Sequence, residues 1–162
     1  MAPDRAGRAS PTETMVIAYD GTGNARRAVH YAGRLLAFHR AVVLTVWSPV
    51  PRGPAPAALD LDGPPDRDDD DDVDMAYADA QRTNAEGVAL AHQAGLTADP
   101  LCAAVNGTVW ATIIEAADDL DAALIVTGTR GTTGLRSLMQ SSVADNVLRR
   151  GHRPVLIVPP GR

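Results

Sequence analysis

A chain of 162 residues and 17.0 kDa, 45% of it hydrophobic, has the length and apolar content of one domain with its own core. Aromatics make up 4%, so that core is aliphatic, and the single cysteine, Cys102, excludes both an intrachain disulfide and a cysteine-based zinc site. The formal charge of −5 has one source: residues 59–74 hold nine Asp and one Arg, a local −8 that leaves the remainder at +3, with no broad basic face for nucleic acid.

The opening stretch, MAPDRAGRASPTET, carries arginines but no apolar run behind them. It is expected to be a disordered lead over residues 1–14 rather than a secretory signal. No apolar run in the chain reaches the roughly 20 residues that cross a bilayer, so no membrane association and a cytoplasmic address are expected. MVIAYD (15–20) is a short apolar run ending in the turn DGTGN, and predicts a strand. Over residues 24–38, Ala28, Val29, Ala32, Leu35 and Leu36 recur at helical spacing, with Asn24 placed to cap the start. AVVLTVW (41–47) predicts a second strand, closed by the Pro- and Gly-rich SPVPRGPAPA. The acidic tract follows, giving about 25 residues without a recognisable element, a length that suggests an insertion or lid. Residues 51–74 are therefore expected to be a flexible insert in a domain spanning 15–160.

Residues 75–95 predict a helix with Gly95 near its C-cap, and 99–105 a third strand. A helix over 107–120 places Val109, Ile113, Ile114 and Ala117 on one face. AALIVTG (122–128) is nearly all apolar, as a strand covered on both sides should be. After a glycine-rich stretch, a helix over 142–150 and a last strand, PVLIVPP (154–160), complete the order. Strands alternating with helices predict an α/β fold, a five-stranded parallel open sheet with helices on both faces. Ligands of such sheets bind beyond the carboxyl ends of the strands, where the strand order reverses. That rule selects Ala18, Tyr19 and Asp20 after the first strand, Val46 and Trp47 after the second, and Thr127 to Ser142 after the fourth.

GTRGTTGLRSLMQSSVADN (128–146) combines glycines with hydroxyls but lacks the lysine of a GxxxxGK[ST] phosphate loop; all fifteen basic residues of the chain are arginine. Glycines allow close backbone approach, and a helix beginning near Ser142 would turn free N–H groups towards an anion. Ser142 and Asp145 also have capping-box spacing, so Ser142 serves equally as a helix cap. Asp20 has two readings as well, a carboxylate accepting from a ligand or the cap of its own turn. GTGNAR (21–26) puts Arg26 where a dinucleotide fingerprint needs its third glycine. His30, His39, His92 and His152 show no metal-ligand spacing. Arg149, Arg150 and Arg153 read as cations near a helix C-terminus.

These residues together resemble the universal stress protein family. Its G-x-x-G, nine residues, Gly-Ser/Thr pattern is matched by Gly128 and Gly131, nine residues, then Ser141 and Ser142. VIAYDGT resembles the family's first strand and turn, DAALIVTGTRG its fourth strand, and PVLIVPP its last. The resemblance implies a Rossmann-like fold of the adenine nucleotide alpha hydrolase-like type, ATP as ligand (with Mg2+), a role in stress response, and a homodimer through the last strand, Val155 to Val158. It also implies site roles. Asp20 and the backbone at Val46 face the adenosine with Ala18 beneath, while Thr127, Gly128, Gly131, Ser141 and Ser142 surround the phosphates beside Arg130 and Val143. Ser141 stands where the family has glycine. With no lysine and no general base at the site, hydrolysis is expected to be slow or absent. The alternatives are a dimeric interaction protein of the same fold that binds no nucleotide, and a slow ATP hydrolase using Arg130 or Arg136.

Overall fold

The computed structural model describes residues 13–36, 40–49, 69–129 and 143–161. Along the chain these form β1 (Thr14–Ala18), α1 (Gly23–Leu36), β2 (Arg40–Trp47), α2 (Asp69–Gln93), β3 (Thr97–Ala104), α3 (Val109–Asp119), β4 (Leu124–Gly128), α4 (Val143–Arg150) and β5 (Val155–Val158). The strands make one parallel sheet in the order β3-β2-β1-β4-β5. β1 lies at its centre, with Val16 opposite both Val42 of β2 and Ile125 of β4.

Strand alternation sorts the core into two layers. Met15, Ile17 and Tyr19 join Val43, Val126 and the apolar faces of α1 and α2, including Ala28, Val29, Ala32 and Ala91. Val16, Leu44 and Ile125 face the other way, against Ile113, Ala116 and Ala117 of α3 and Val147 of α4. Burial on both faces is why β1, β2 and β4 read as continuous aliphatic runs. The expected parallel sheet with helices on both faces is what the chain forms.

Several boundaries differ from the sequence reading. The largest difference is at α2, which starts at Asp69 and not at residue 75, so the last six positions of the expected insert are helical. Carboxylates in the first turn of a helix complement its positive dipole end, so a run of Asp is compatible with a helix start. Residues 50–68 lie outside the described residues. α1 is capped by Thr22, whose Oγ1 accepts from Ala25 N at 3.2 Å, while the expected cap, Asn24, sits inside the first turn. β3 begins two residues early because α2 ends sharply. Gly95 has φ +85°, and the bonds from Gly95 N to His92 O and from Leu96 N to Ala91 O form the paired 5→2 and 6→1 closure of a Schellman motif. The three C-terminal arginines are tied individually. Arg149 pairs with Asp145, Arg150 lies 4.9 Å over the Trp110 ring, and Arg153 reaches Asp118 in the last turn of α3 and Asp121 in the turn before β4.

Candidate functional site

The strand order reverses between β1 and β4, which places the expected crevice at their carboxyl ends. The turn after β1 is built locally. Asp20 is exposed, and its Oδ1 accepts from Thr22 N at 3.1 Å and from Thr22 Oγ1 at 2.6 Å. Gly21 supplies the positive φ, +77°, that this tight return into α1 requires. Thr22 then passes the chain into the helix through its cap bond. The turn role of Asp20 is therefore realised, and its carboxylate stands at the crest of the sheet while performing it.

Long-range contacts fix the turn to the rest of the molecule. Tyr19 N donates to Leu44 O at 2.8 Å, and Thr45 Oγ1 donates to Tyr19 O at 2.9 Å. The Tyr19 ring is 2% exposed and its hydroxyl donates to Glu86 Oε1 of α2 at 2.8 Å. Arg26 of α1 reaches the same carboxylate oxygen at 2.7 Å. Burial, reinforced by the bond to Glu86, holds the Tyr19 phenol above its ordinary value. The ring fits only because residue 87 is glycine: a Cβ there would lie 2.7 Å from Tyr19 Cδ1.

On the other side of the strand-order reversal, Gly128 ends β4. A Cβ on it would lie 2.6 Å from the Asn24 carbonyl oxygen, so its bareness is what lets the first turn of α1 approach the end of β4. Thr127 is buried, with Oγ1 donating to Gly128 O at 3.2 Å, and Thr129 N donates to Val158 O at 3.0 Å. Ala18, Val46 and Val143 are each partly buried against the α3/α4 layer. Six of the ten expected site residues are thus described: Ala18, Val46 and Val143 share one face of the crest, Asp20 stands at its edge, and Thr127 and Gly128 close β4. Arg130, Gly131, Ser141 and Ser142 lie outside the described residues. Among the described residues, no cluster of three or more His, Cys, Asp or Glu side chains is arranged to hold a metal.

Sequence reasoning missed three features around this site. Tyr19 and Glu86 are bonded across 67 positions, a separation that no local pattern reports. Trp47 at the end of β2 packs on Tyr77 of α2, with ring centroids 5.2 Å apart. Asn84, 1% exposed, donates from Nδ2 to Val43 O, Thr45 Oγ1 and Leu101 O at 2.8, 3.1 and 3.0 Å. A lone Asn on the apolar side of a helix was the available signal for that last one. Grooves of about 490 and 310 Å³ open elsewhere, between α2 and β3 and between α3 and α4; Asp20, Val46 and Gly128 line neither.

A parallel, doubly wound α/β domain with a glycine-bearing turn and a bare strand end meeting at the strand-order reversal defines a class of sheet that presents ligands at its crest. Within that class the chain belongs to the universal stress protein family, whose model matches residues 11–159. Over 46 residues it is 48% identical to Universal stress protein MJ0531 of Methanocaldococcus jannaschii, a stretch covering 28% of this chain and 27% of that relative's length. It is similar to the crystal structure of a universal stress protein in complex with cAMP, with TM-score 0.68, 25% identity and coverage of 93% of this chain and 98% of that one. It also shares its fold with the universal stress protein from Archaeoglobus fulgidus in complex with dAMP, at TM-score 0.60 and 20% identity, covering 90% of this chain and 97% of that one. No helix among the described residues is long and apolar enough to cross a membrane.

Proposed function

We propose that this protein binds an adenine nucleotide, ATP with its Mg2+, at the crest between β1 and β4, and serves in stress response with little or no turnover. The observation that carries the reading is that the Asp20 turn and Gly128 end the two strands flanking the strand-order reversal, with the first turn of α1 packed on Gly128. An exposed carboxylate fits the amino and hydroxyl donors of an adenosine, and the absence of lysine leaves backbone N–H groups, hydroxyls and Arg130 for the phosphates. The similarity at 25% identity to a universal stress protein in complex with cAMP supports an adenine nucleotide as the ligand. In this reading Val46 and Ala18 supply the apolar bed beside Val143, and the phosphate roles of Gly131 and Ser142 rest on the sequence motif alone. The same geometry lends weight to a second reading, a dimeric interaction protein of this fold without nucleotide. Asp20 already satisfies its own turn, and Gly128 is already required by Asn24.

Titration calorimetry separates the two. Mg-ATP should bind at one site per chain, Gly131→Val should weaken it, and Ser141→Gly should tighten it about tenfold by removing a Cβ from the backbone's approach to phosphate. No detectable heat or competition at millimolar ATP, by the parent and by Ser141→Gly alike, would establish the nucleotide-free reading.

A further inference from the structure

The groove of about 490 Å³ between α2 and β3, the edge strand, is lined by none of Ala18, Asp20, Val46, Thr127, Gly128 or Val143. Ala85, Val88 and Ala89 of α2 with Pro100 and Cys102 of β3 make its apolar walls, Tyr77, Gln81 and His92 add polar atoms, and no Asp, Glu, Lys or Arg lines it. The His92 ring is engaged with Ala98 O at 3.1 Å. Burial raises the Cys102 thiol above its ordinary value, so it stays neutral there. The volume falls within the range of small-molecule sites, which pair apolar walls with a few placed polar atoms.

Asn84 supplies such an atom. Its Nδ2 is committed to the strand carbonyls of Val43 and Leu101 and to Thr45 Oγ1. Two of those three partners only accept, so the amide orientation is fixed by its partners. Oδ1 is then left on the side turned away from the sheet, buried and without a hydrogen-bond partner among the described residues. A buried acceptor left unmade is costly, and native structures seldom tolerate one without a partner.

We propose that this groove is a second binding site, taking a small uncharged molecule with a flat apolar body and one N–H or O–H donor that pairs with Asn84 Oδ1. The absence of Lys and Arg from its walls disfavours nucleotides and other anions here, so the site is chemically distinct from the crest. The bare α2 surface at Ala85 and Ala89 leaves room for a ring against Pro100.

Phenol and toluene, nearly equal in shape, differ by the one donor in question. In amide NMR titrations of the full chain, phenol should shift the resonances of residues 81–92, 101 and 102, and toluene should bind about tenfold more weakly. Cys102 is the chain's only cysteine, so its alkylation rate gives an independent readout, and phenol should slow it. Asn84 variants lose three structural bonds at once. Ala89→Trp, at an exposed helical position, fills the groove instead and should abolish both effects while leaving the melting temperature unchanged. Equal binding of toluene and phenol, shifts that persist in Ala89→Trp, or no shifts at millimolar phenol would each overturn the proposal.

Discussion

At Gly87 two opposing effects act on one atom. Alanine in a helix interior is favoured over glycine by about 1 kcal/mol. A Cβ at 87, however, would lie 2.7 to 2.9 Å from the Tyr19 ring and Val43 Cγ1, and the ring cannot move aside while its hydroxyl is held by Glu86. Overpacking of this kind costs about 1–3 kcal/mol, so Gly87→Ala should lower the urea midpoint of unfolding despite its better propensity. Tyr19 itself predicts a pH dependence. Its phenol is raised above the ordinary value of 10.0 by burial and by Glu86, so the fold favours the neutral form. That contribution is complete below pH 10 and is lost as pH rises through the raised value. Stability measured from pH 9 upward should therefore fall more steeply in the parent than in Tyr19→Phe. The variant itself should be less stable at neutral pH by about 0.5–1.5 kcal/mol for the lost hydrogen bond.

Two helices in this domain begin with the same device in different surroundings. Thr22 caps α1 and Thr108 caps α3, each accepting a backbone N–H at 3.2 Å. Either threonine replaced by alanine should cost about 1 kcal/mol in chemical denaturation. Only Thr22 also donates its hydroxyl to Asp20, so only Thr22→Ala should loosen the carboxylate, leaving it the bond from the residue 22 backbone N–H. On the proposed function, that substitution changes ATP affinity and Thr108→Ala does not, a comparison at matched stability loss. The glycine ending β4 shows how an element's position, and not its own conformation, dictates a residue. Gly128 has no positive φ, yet the Asn24 carbonyl passes too close for any side chain.

For the whole molecule we propose assembly as a dimer through β5. β5 lies at an edge of the sheet, and a parallel sheet presents unpaired backbone groups along such an edge. Val155 to Val158 is a short, half-buried apolar strand, and pairing with a second copy would satisfy it. On that proposal, light scattering at tens of micromolar should give a dimer mass, and Ile157→Lys should give a monomer with an unchanged far-ultraviolet spectrum. A monomer mass for the parent would remove the dimer.

Much of this architecture follows from local rules. Continuous aliphatic runs at 15–18, 41–47 and 124–128, helical spacing at Ala28, Val29 and Ala32, and a glycine at 95 fix which segments become which element, because each signal operates within a few residues. Alternation of strand and helix then leaves a parallel sheet as the only compact arrangement, and with it the position of Asp20, Val46 and Gly128 at one end. Sequence alone did not reveal what those residues would touch. That Tyr19 ties the Asp20 turn to Glu86, that Gly87 and Gly128 are bare to admit a ring and a carbonyl, and that Asn84 bridges β2 and β3 with one oxygen left over were decided only by tertiary packing. Such contacts join residues tens of positions apart. They are set by the volumes and polar atoms that meet when the layers close, which no local pattern encodes.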